Sequence, residues 1–483
     1  MKSSTAQEER AENAKIVGDD LAQLIPQTGM PFWRVWHLLR LNLILLIPMF
    51  SAGTIGYDGA MINALQIAPY WKKYFHHPVK AQLGLINAIF PVGKICGLAM
   101  VTPITIQAAS VNVGMLVFSR WFLGVGTAFM AQPSPIIITE LACPTHRGKV
   151  TALFNTFYFF GAILAAWLTY GTIKRPDDWS WRIPSLLQGA FPFVQLLFWF
   201  AVPESPRWLI AKGKVQEARV LFTRQHAGGD VNSPLVQFEM EEIQETFKLE
   251  KELPEGGSWR GMAKTPANRR RCMIAVILGA FAQWVGNAVI TYYLTLVLND
   301  IGITDATHQA LINGGLQIFN LFAVVFCGAL MVDSLGRRTL FLWSAAGMCI
   351  SYITALNSRF IETKSVSVGI AVVPMLFVFF FHYDIAFTPL LYAYPAEIFP
   401  YALRGAGVSL TSSSSHGGLI VSQFVNPIAM ANISWKYYIG HTLEEIALAF
   451  EGDQATVKNA IPEIFGKGEL EVGMVHVEDT RAQ

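Results

Sequence analysis

Four ionisable side chains, Asp58, Arg120, His382 and Asp384, sit inside long apolar runs of the chain. A charge at the centre of a membrane helix costs about 2.5–3.5 kcal/mol on insertion scales, so residues kept there need a partner or a wet cavity. Asp58 and Arg120 are the clearest of the four, and a carboxylate so placed binds or releases a proton as its surroundings change. The plainer reading makes Asp58 a helix-end residue at the membrane surface and Arg120 a snorkelling side chain. His382 and Asp384 form a second candidate pair without an assigned role.

Acids and arginines recur just outside the apolar runs: Glu140 with Arg147, Glu204 with Arg207, Asp333 with Arg337 and Arg338, and Glu397 with Arg404. A carboxylate and a guanidinium can share two parallel hydrogen bonds. Exposed pairs add little each, however, and spacing alone reads these as solvated anchors of helix ends. The Glu140-to-Arg147 spacing, closed by Gly148, is repeated by Glu397, Arg404 and Gly405 in the second half. A duplicated helical bundle produces such an echo.

The elements that must position these groups follow from composition. The chain has 483 residues, 53% hydrophobic and 14% charged, with 33 Phe and 13 Trp, too apolar for an ordinary soluble domain. Apolar runs fall near 41–67, 83–101, 113–138, 150–170 and 183–202, then near 273–298, 311–332, 340–356, 368–392 and 405–430. Each suits a membrane helix, which satisfies its own backbone hydrogen bonds across a core roughly 30 Å thick. The polar segment 203–271 carries 12 of the 36 Lys+Arg, with a helix expected over 218–224, and reads as cytoplasmic. Arg34, His37 and Arg40, with Trp33 and Trp36, place the amino terminus on the same side; Lys72, Lys73 and Lys80 then fall outside, a mild violation. The first forty residues lack the pattern of a signal peptide, so targeting is expected from the first membrane helix. The net charge of +2 gives no nucleic-acid footprint. Cys96, Cys143, Cys272, Cys327 and Cys349 lack metal-ligand spacing and read as reduced packing residues.

The motifs carry a family resemblance over roughly residues 30–450. Pro203-Glu204-Ser205-Pro206-Arg207-Trp208-Leu209 resembles the signature of sugar porters of the major facilitator superfamily, as do Gly56-Tyr57-Asp58-Gly59 and Asp333-Ser334-Leu335-Gly336-Arg337-Arg338. Gln283-Trp284-Val285-Gly286-Asn287 with Tyr292-Tyr293 resembles the fungal lactose-permease and hexose-transporter branch. The resemblance implies an all-α membrane protein of two pseudo-symmetric bundles. It implies that Asp58 and Arg120 face each other as the proton-coupling pair, and that the acids and arginines Glu140, Arg147, Glu204, Arg207, Asp333, Arg337, Arg338, Glu397 and Arg404 form a cytoplasmic latch. A neutral polyol needs amides and hydroxyls to replace its water, and aromatic faces for its apolar side. Gln283, Asn287, Tyr292, Asn320 and Tyr392 supply these, with Gln283 at a sugar-contacting position of the family and Tyr392 where many members carry Trp. Asn287 is one residue early, and Ala162 stands where many hexose porters have Gln. Singly, each amide also reads as interhelical glue.

Members of the family have twelve spans and ten are recognisable here. Pattern is missing after Gly97-Leu98, where the third helix belongs, and at Tyr438-Ile439, where the twelfth should run. The loss of one crossing in each half is expected to invert the orientation of the chain beyond each gap. A mis-spliced or truncated form and a decayed paralogue both fit. The expected organisation is a tail (1–40), a first bundle (41–202), a cytoplasmic segment (203–271), a second bundle (272–438) and a tail (439–483). The expected function is uptake of a hexose, pentose or disaccharide with a proton at the plasma membrane, by a lipid-embedded monomer without metal or cofactor. The alternatives are a carrier of a non-sugar metabolite, a sugar sensor that does not transport, and an inactive short form. An enzyme is not expected: the chain has no nucleophile elbow, zinc-ligand spacing or Walker loop. Asn432-Ile433-Ser434 is a glycosylation acceptor if external.

Overall fold

The computed structural model describes residues 23, 34–96, 101–131, 133–252, 259–300, 302–325, 336–355, 372–399 and 401–433, which are predominantly helical with no strand among them. Helix α1 (Trp36–Ile67) ends where the chain turns extended at Ala68. A residue before proline is pushed out of the helical region, and α2 (Pro69–Tyr74) restarts with proline in its first turn. The first half continues with α3 (Lys80–Cys96), α4 (Val101–Ala108), α5 (Val113–Ala131), α6 (Pro133–Leu141), α7 (Pro144–Thr172), α8 (Trp179–Leu187) and α9 (Ala190–Phe198). Between the halves lie α10 (Pro206–Ala211), α11 (Val215–Gln225), α12 (Pro234–Glu252) and α13 (Trp259–Lys264). The second half holds α14 (Pro266–Trp284), α15 (Asn287–Asp300), α16 (Ala306–Ala323), α17 (Arg337–Ala355), α18 (Val372–Ile398) and α19 (Tyr401–Ile433). Where they are described, the ten apolar runs fall on helix apart from breaks at 188–189, 202 and 285–286. Among the described residues five spans, Trp36–Ile67, Val113–Leu141, Trp179–Ala201, Pro266–Asn299 and Val372–Tyr392, are long and apolar enough to cross a membrane by length and composition.

Close backbone approach organises both halves. A methyl group added at Gly56 would run into the Tyr158 carbonyl, and one at Gly161 into the Gly53 carbonyl, so glycine is what lets α1 and α7 cross in contact. In the second half Gly279 of α14 meets the Thr411 carbonyl of α19, and Gly418 meets the Ala280 carbonyl. Gly286, at φ 89°, supplies the bend between α14 and α15.

The direction of α5 bears on the crossing expected from the sequence to be missing from the first half. Arg120 of α5 bonds the Ile86 carbonyl of α3, and Phe90 packs on Leu123, so α3 and α5 run parallel. The return is made by α4: its Ile104 joins Phe90 and Leu123, and its Ala108 carbonyl accepts from Arg182 at the start of α8. In the first half α5 therefore keeps the direction of α3, with α4 running back between their ends toward α8, and the inversion expected there is not seen.

The end of the bundle nearest α10–α12 is here the loop end, and the opposite one the far end. At the loop end, Leu209, Ala218, Phe222, Val236, Met240 and Ile243 pack α10–α12 into a small unit; the expected helix over 218–224 lies in α11. The unit is fastened to the end of α6. Ser205 caps α10 and also bonds Glu140. His226 presents Nδ1 to Glu239 at 2.8 Å and Nε2 to the Leu141 carbonyl at 3.0 Å. Burial pushes the neighbouring Cys143 thiol up to about 11, which keeps it protonated and inert. At the far end the halves meet: Gly84 packs against Gln423 and Pro427, Gly314 against Trp167, Asn63 bonds Asn313 at 3.3 Å, and Gln66 bonds the Tyr292 carbonyl at 3.0 Å.

Candidate functional site

The parallel run of α3 and α5 brings Arg120 to Asp58 in α1. Arg120 Nη1 and Nη2 donate to Asp58 Oδ1 and Oδ2, each at 3.3 Å. Its Nε donates to the Ile86 carbonyl at 2.8 Å, and the guanidinium lies 5.5 Å from the centre of the Phe90 ring. Exposure is 2% for Asp58 and 1% for Arg120. Charges taken this far from water persist only when paired and when their remaining hydrogen-bonding positions are filled. Gln188, which closes α8, fills one: its Nε2 donates to Asp58 Oδ1 at 2.9 Å, and its Oε1 accepts from Gln107 Nε2 of α4 at 3.3 Å. Neither glutamine stood out in the sequence. A lone amide in an apolar helix is common packing glue, and no spacing announces a partner so far along the chain.

Tyrosines connect this pair to the second half. Tyr158 of α7 is within electrostatic reach of both Asp58 and Asp384, and Tyr292 of α15 within reach of Tyr158, Asp58, Arg120 and Tyr383. Gln283 Nε2 donates to Ser415 Oγ at 3.0 Å, and Tyr392, 38% exposed, lies close to Ser412 and Ser415. Asn287 Oδ1 accepts from Thr291 at 2.9 Å and meets the Tyr383 hydroxyl. Asn320 is buried on α16 with its Oδ1 unpartnered.

Other expected pairings differ. His382 and Asp384 do not pair: the His382 ring lies against Gly347 of α17 and donates to the Val378 carbonyl at 2.8 Å, while Asp384 Oδ1 accepts from Thr388 at 2.7 Å. Positions two apart on a helix point to different faces. At the loop end Arg337 makes two bonds to Glu397, at 3.1 and 3.3 Å. Glu140 and Arg147 form no ion pair; Glu140 takes the Ser205 hydroxyl, and Arg147 Nε is buried without a partner. Glu204 and Arg207 flank the start of α10, and Arg338 and Arg404 are exposed. Asp333 and Ser434, and with Ser434 the glycosylation motif of Asn432, lie outside the described residues.

Comparison with known proteins gives this geometry a context. An MFS-type transporter of Aspergillus oryzae, oryC, is 29% identical over 76% of this chain and 68% of its own length. The hexose transporter HXT10 of Saccharomyces cerevisiae is 27% identical over 74% of this chain and 66% of its own, just under two thirds. The high-affinity glucose transporter of Kluyveromyces lactis is 25% identical over 86% and 82%. Among solved structures, the partially occluded inward-open form of the xylose transporter XylE from E. coli superposes with a TM-score of 0.66, at 19% identity, over 84% of this chain and 96% of that one. The fold is therefore the all-α membrane fold of that carrier, and the relatives are transporters rather than enzymes. Residues 95–444 match the family described as sugar (and other) transporter, and this multi-pass membrane chain belongs to that family.

Proposed function

We propose that the chain carries a sugar across the plasma membrane together with a proton, as a monomer, by alternating access. The observation that carries this reading is the buried Asp58–Arg120 pair, held at the junction of the two halves with Gln188 beside it. A carboxylate gripped by a guanidinium favours its charged form, and when the guanidinium swings away the balance moves toward the acid. Asp58 takes a proton when open to the far side, Arg120 relaxes onto the Ile86 carbonyl, and the proton leaves when the site opens to the loop end. Sugar binds the protonated carrier.

The neutral lining suits the cargo. Gln283, Asn287, Tyr292, Asn320 and Tyr392 offer amides and hydroxyls, and the unpartnered Asn320 Oδ1, Asn313 Nδ2 and Gln66 Oε1 are polar atoms that a hydroxyl-rich ligand can satisfy. Asn63–Asn313 and Gln66–Tyr292 hold the far end shut, and these neutral bonds are exchanged when the halves rock. Arg337–Glu397 fastens α17 to α18 at the loop end. The names of relatives, which include hexose and glucose transporters and a proton:xylose symporter, agree with this cargo.

The test is uptake of labelled glucose, xylose and lactose in a transporter-deficient cell, with and without a proton gradient, for the wild type and Asp58→Asn. Gradient-driven uptake of at least one sugar, lost in the variant, is expected. Uptake indifferent to the gradient and intact in the variant would make the protein a facilitator and remove the proton from the mechanism.

A further inference from the structure

Gln188 and Gln107 are buried to 0% and 1% exposure and have no task in the cycle above beyond contact with Asp58. A primary amide presents a donor and an acceptor on one flat group, so half a turn of its terminal bond exchanges the two. In the present arrangement every hydrogen bond points toward the carboxylate: Gln107 Nε2 to Gln188 Oε1, then Gln188 Nε2 to Asp58 Oδ1. The far end of the row, Gln107 Oε1, is buried without a partner. A protonated Asp58 needs an acceptor, and turning both amides provides it: the acid donates to Gln188 Oε1, and Gln188 Nε2 donates to the Gln107 Oε1 that is now unfilled. The row therefore has two arrangements, one for each protonation state, and each leaves one atom of the Gln107 amide without a partner.

We propose that Gln188 and Gln107 are positioning residues for proton coupling, a two-amide relay that turns with the protonation of Asp58 and carries that change to α8 and α4. The relay rests on the reading of the chain as a proton-coupled carrier. The other groups facing Asp58 do not duplicate it: Arg120 from α5 is a donor only, and Tyr158 from α7 and Tyr292 from α15 are within electrostatic reach but make no hydrogen bond to the carboxylate among the described residues. Ala108, which follows Gln107, accepts from Arg182, whose other guanidinium nitrogen bonds Tyr74 at 3.2 Å, so the helix that carries Gln107 is tied to the far end.

Gradient-driven sugar uptake is measured against external pH for the wild type, Gln188→Leu and Gln107→Leu, beside equilibrium exchange of labelled sugar, which needs no net proton movement and reports folded carrier. Gln188→Leu removes a donor to the carboxylate, which favours the acid, so half-maximal uptake moves to higher pH by about one unit. Gln107→Leu frees Gln188 to turn and moves it the same way by less. Maximal uptake falls in both, because the proton leaves late, while the sugar concentration at half-saturation holds. Variants that exchange sugar normally with an unmoved pH profile overturn the relay and leave the carrier reading intact. If Gln188→Leu does not exchange, the profile of Gln107→Leu decides alone. A wild type that exchanges no sugar, or takes it up without regard to the gradient, overturns the carrier reading and the relay with it.

Discussion

The first half of the bundle crosses α1 and α7 through Gly53, Gly56 and Gly161, and the second crosses α14 and α19 through Gly279 and Gly418. On this shared frame they bury different chemistry. The first half buries a full charge pair, Asp58 with Arg120, and completes it with Gln188. Its counterpart buries neutral groups: Gln283 on Ser415, the Trp284 indole on the Gly418 carbonyl at 2.9 Å, and the Tyr293 hydroxyl on the Gln423 carbonyl at 2.8 Å. Among the described residues its one buried acid, Asp384, meets no cation. In the cycle proposed above, the charge that appears and vanishes belongs to one half, where a partner is fixed, and recognition of a neutral ligand to the other, where amides and hydroxyls bond without a desolvated ion.

Removing the counter-charge is the hardest blow to this division. Arg120→Leu leaves Asp58 buried without its guanidinium, and breaking a buried pair from one side costs about 3–5 kcal/mol. The expected outcome is strong loss of purified, folded protein and a marked drop in melting temperature in detergent. The double variant Asp58→Asn with Arg120→Leu should recover much of that loss, because no lone charge remains. An Arg120→Leu protein as stable as the wild type would mean that the first half does not depend on its pair.

Packing gives a smaller contrast. A methyl group at Gly161 would run into the Gly53 carbonyl, whereas one at Gly418 would stop 2.9 Å from the Ala280 carbonyl. Overpacking a close contact costs roughly 1–3 kcal/mol. Gly161→Ala should therefore lower the melting temperature clearly, and Gly418→Ala by less than half as much. Equal losses would mean that the two crossings are equally tight and that the halves differ in chemistry alone.

Much of the frame was legible in the sequence, because apolar runs long enough to cross a bilayer stand out from polar ones. The return made by α4 was not, since an eight-residue helix leaves little trace in hydropathy. Asp58 and Arg120 were legible because a charge in an apolar run is rare. Gln107 and Gln188 were not: amides are ordinary in membrane helices, and what distinguishes these two is which atoms face each other. Glu140 shows a further limit. The family resemblance placed it in a latch with Arg147, but the start of α10 brings the Ser205 hydroxyl to it. His226 gave no signal because polar residues outside the membrane are expected to be solvated, and only packing reveals it as buried between Glu239 and the Leu141 carbonyl.

The smallest expected effect, and the one that sharpens the comparison most, is at Asp384. Its Oδ1 accepts from Thr388 and its Oδ2 is buried without a partner. The ionisable groups that reach it are Tyr383 on its own helix and Tyr158 from α7, both hydroxyls. Asp384→Asn keeps the acceptor for Thr388, keeps the shape, and strands no cation among the described residues. The change in stability should stay at about 1 kcal/mol or less, the centre of the range for point substitutions and well below that of Arg120→Leu. Melting of the purified variant beside Arg120→Leu measures the difference directly. A loss at Asp384→Asn as large as that at Arg120→Leu would reveal a charge partner in the second half and end the division of labour between the two. A near-silent Asp384→Asn beside a crippled Arg120→Leu would mean that the buried acid of the second half does without the counter-charge that the first half requires.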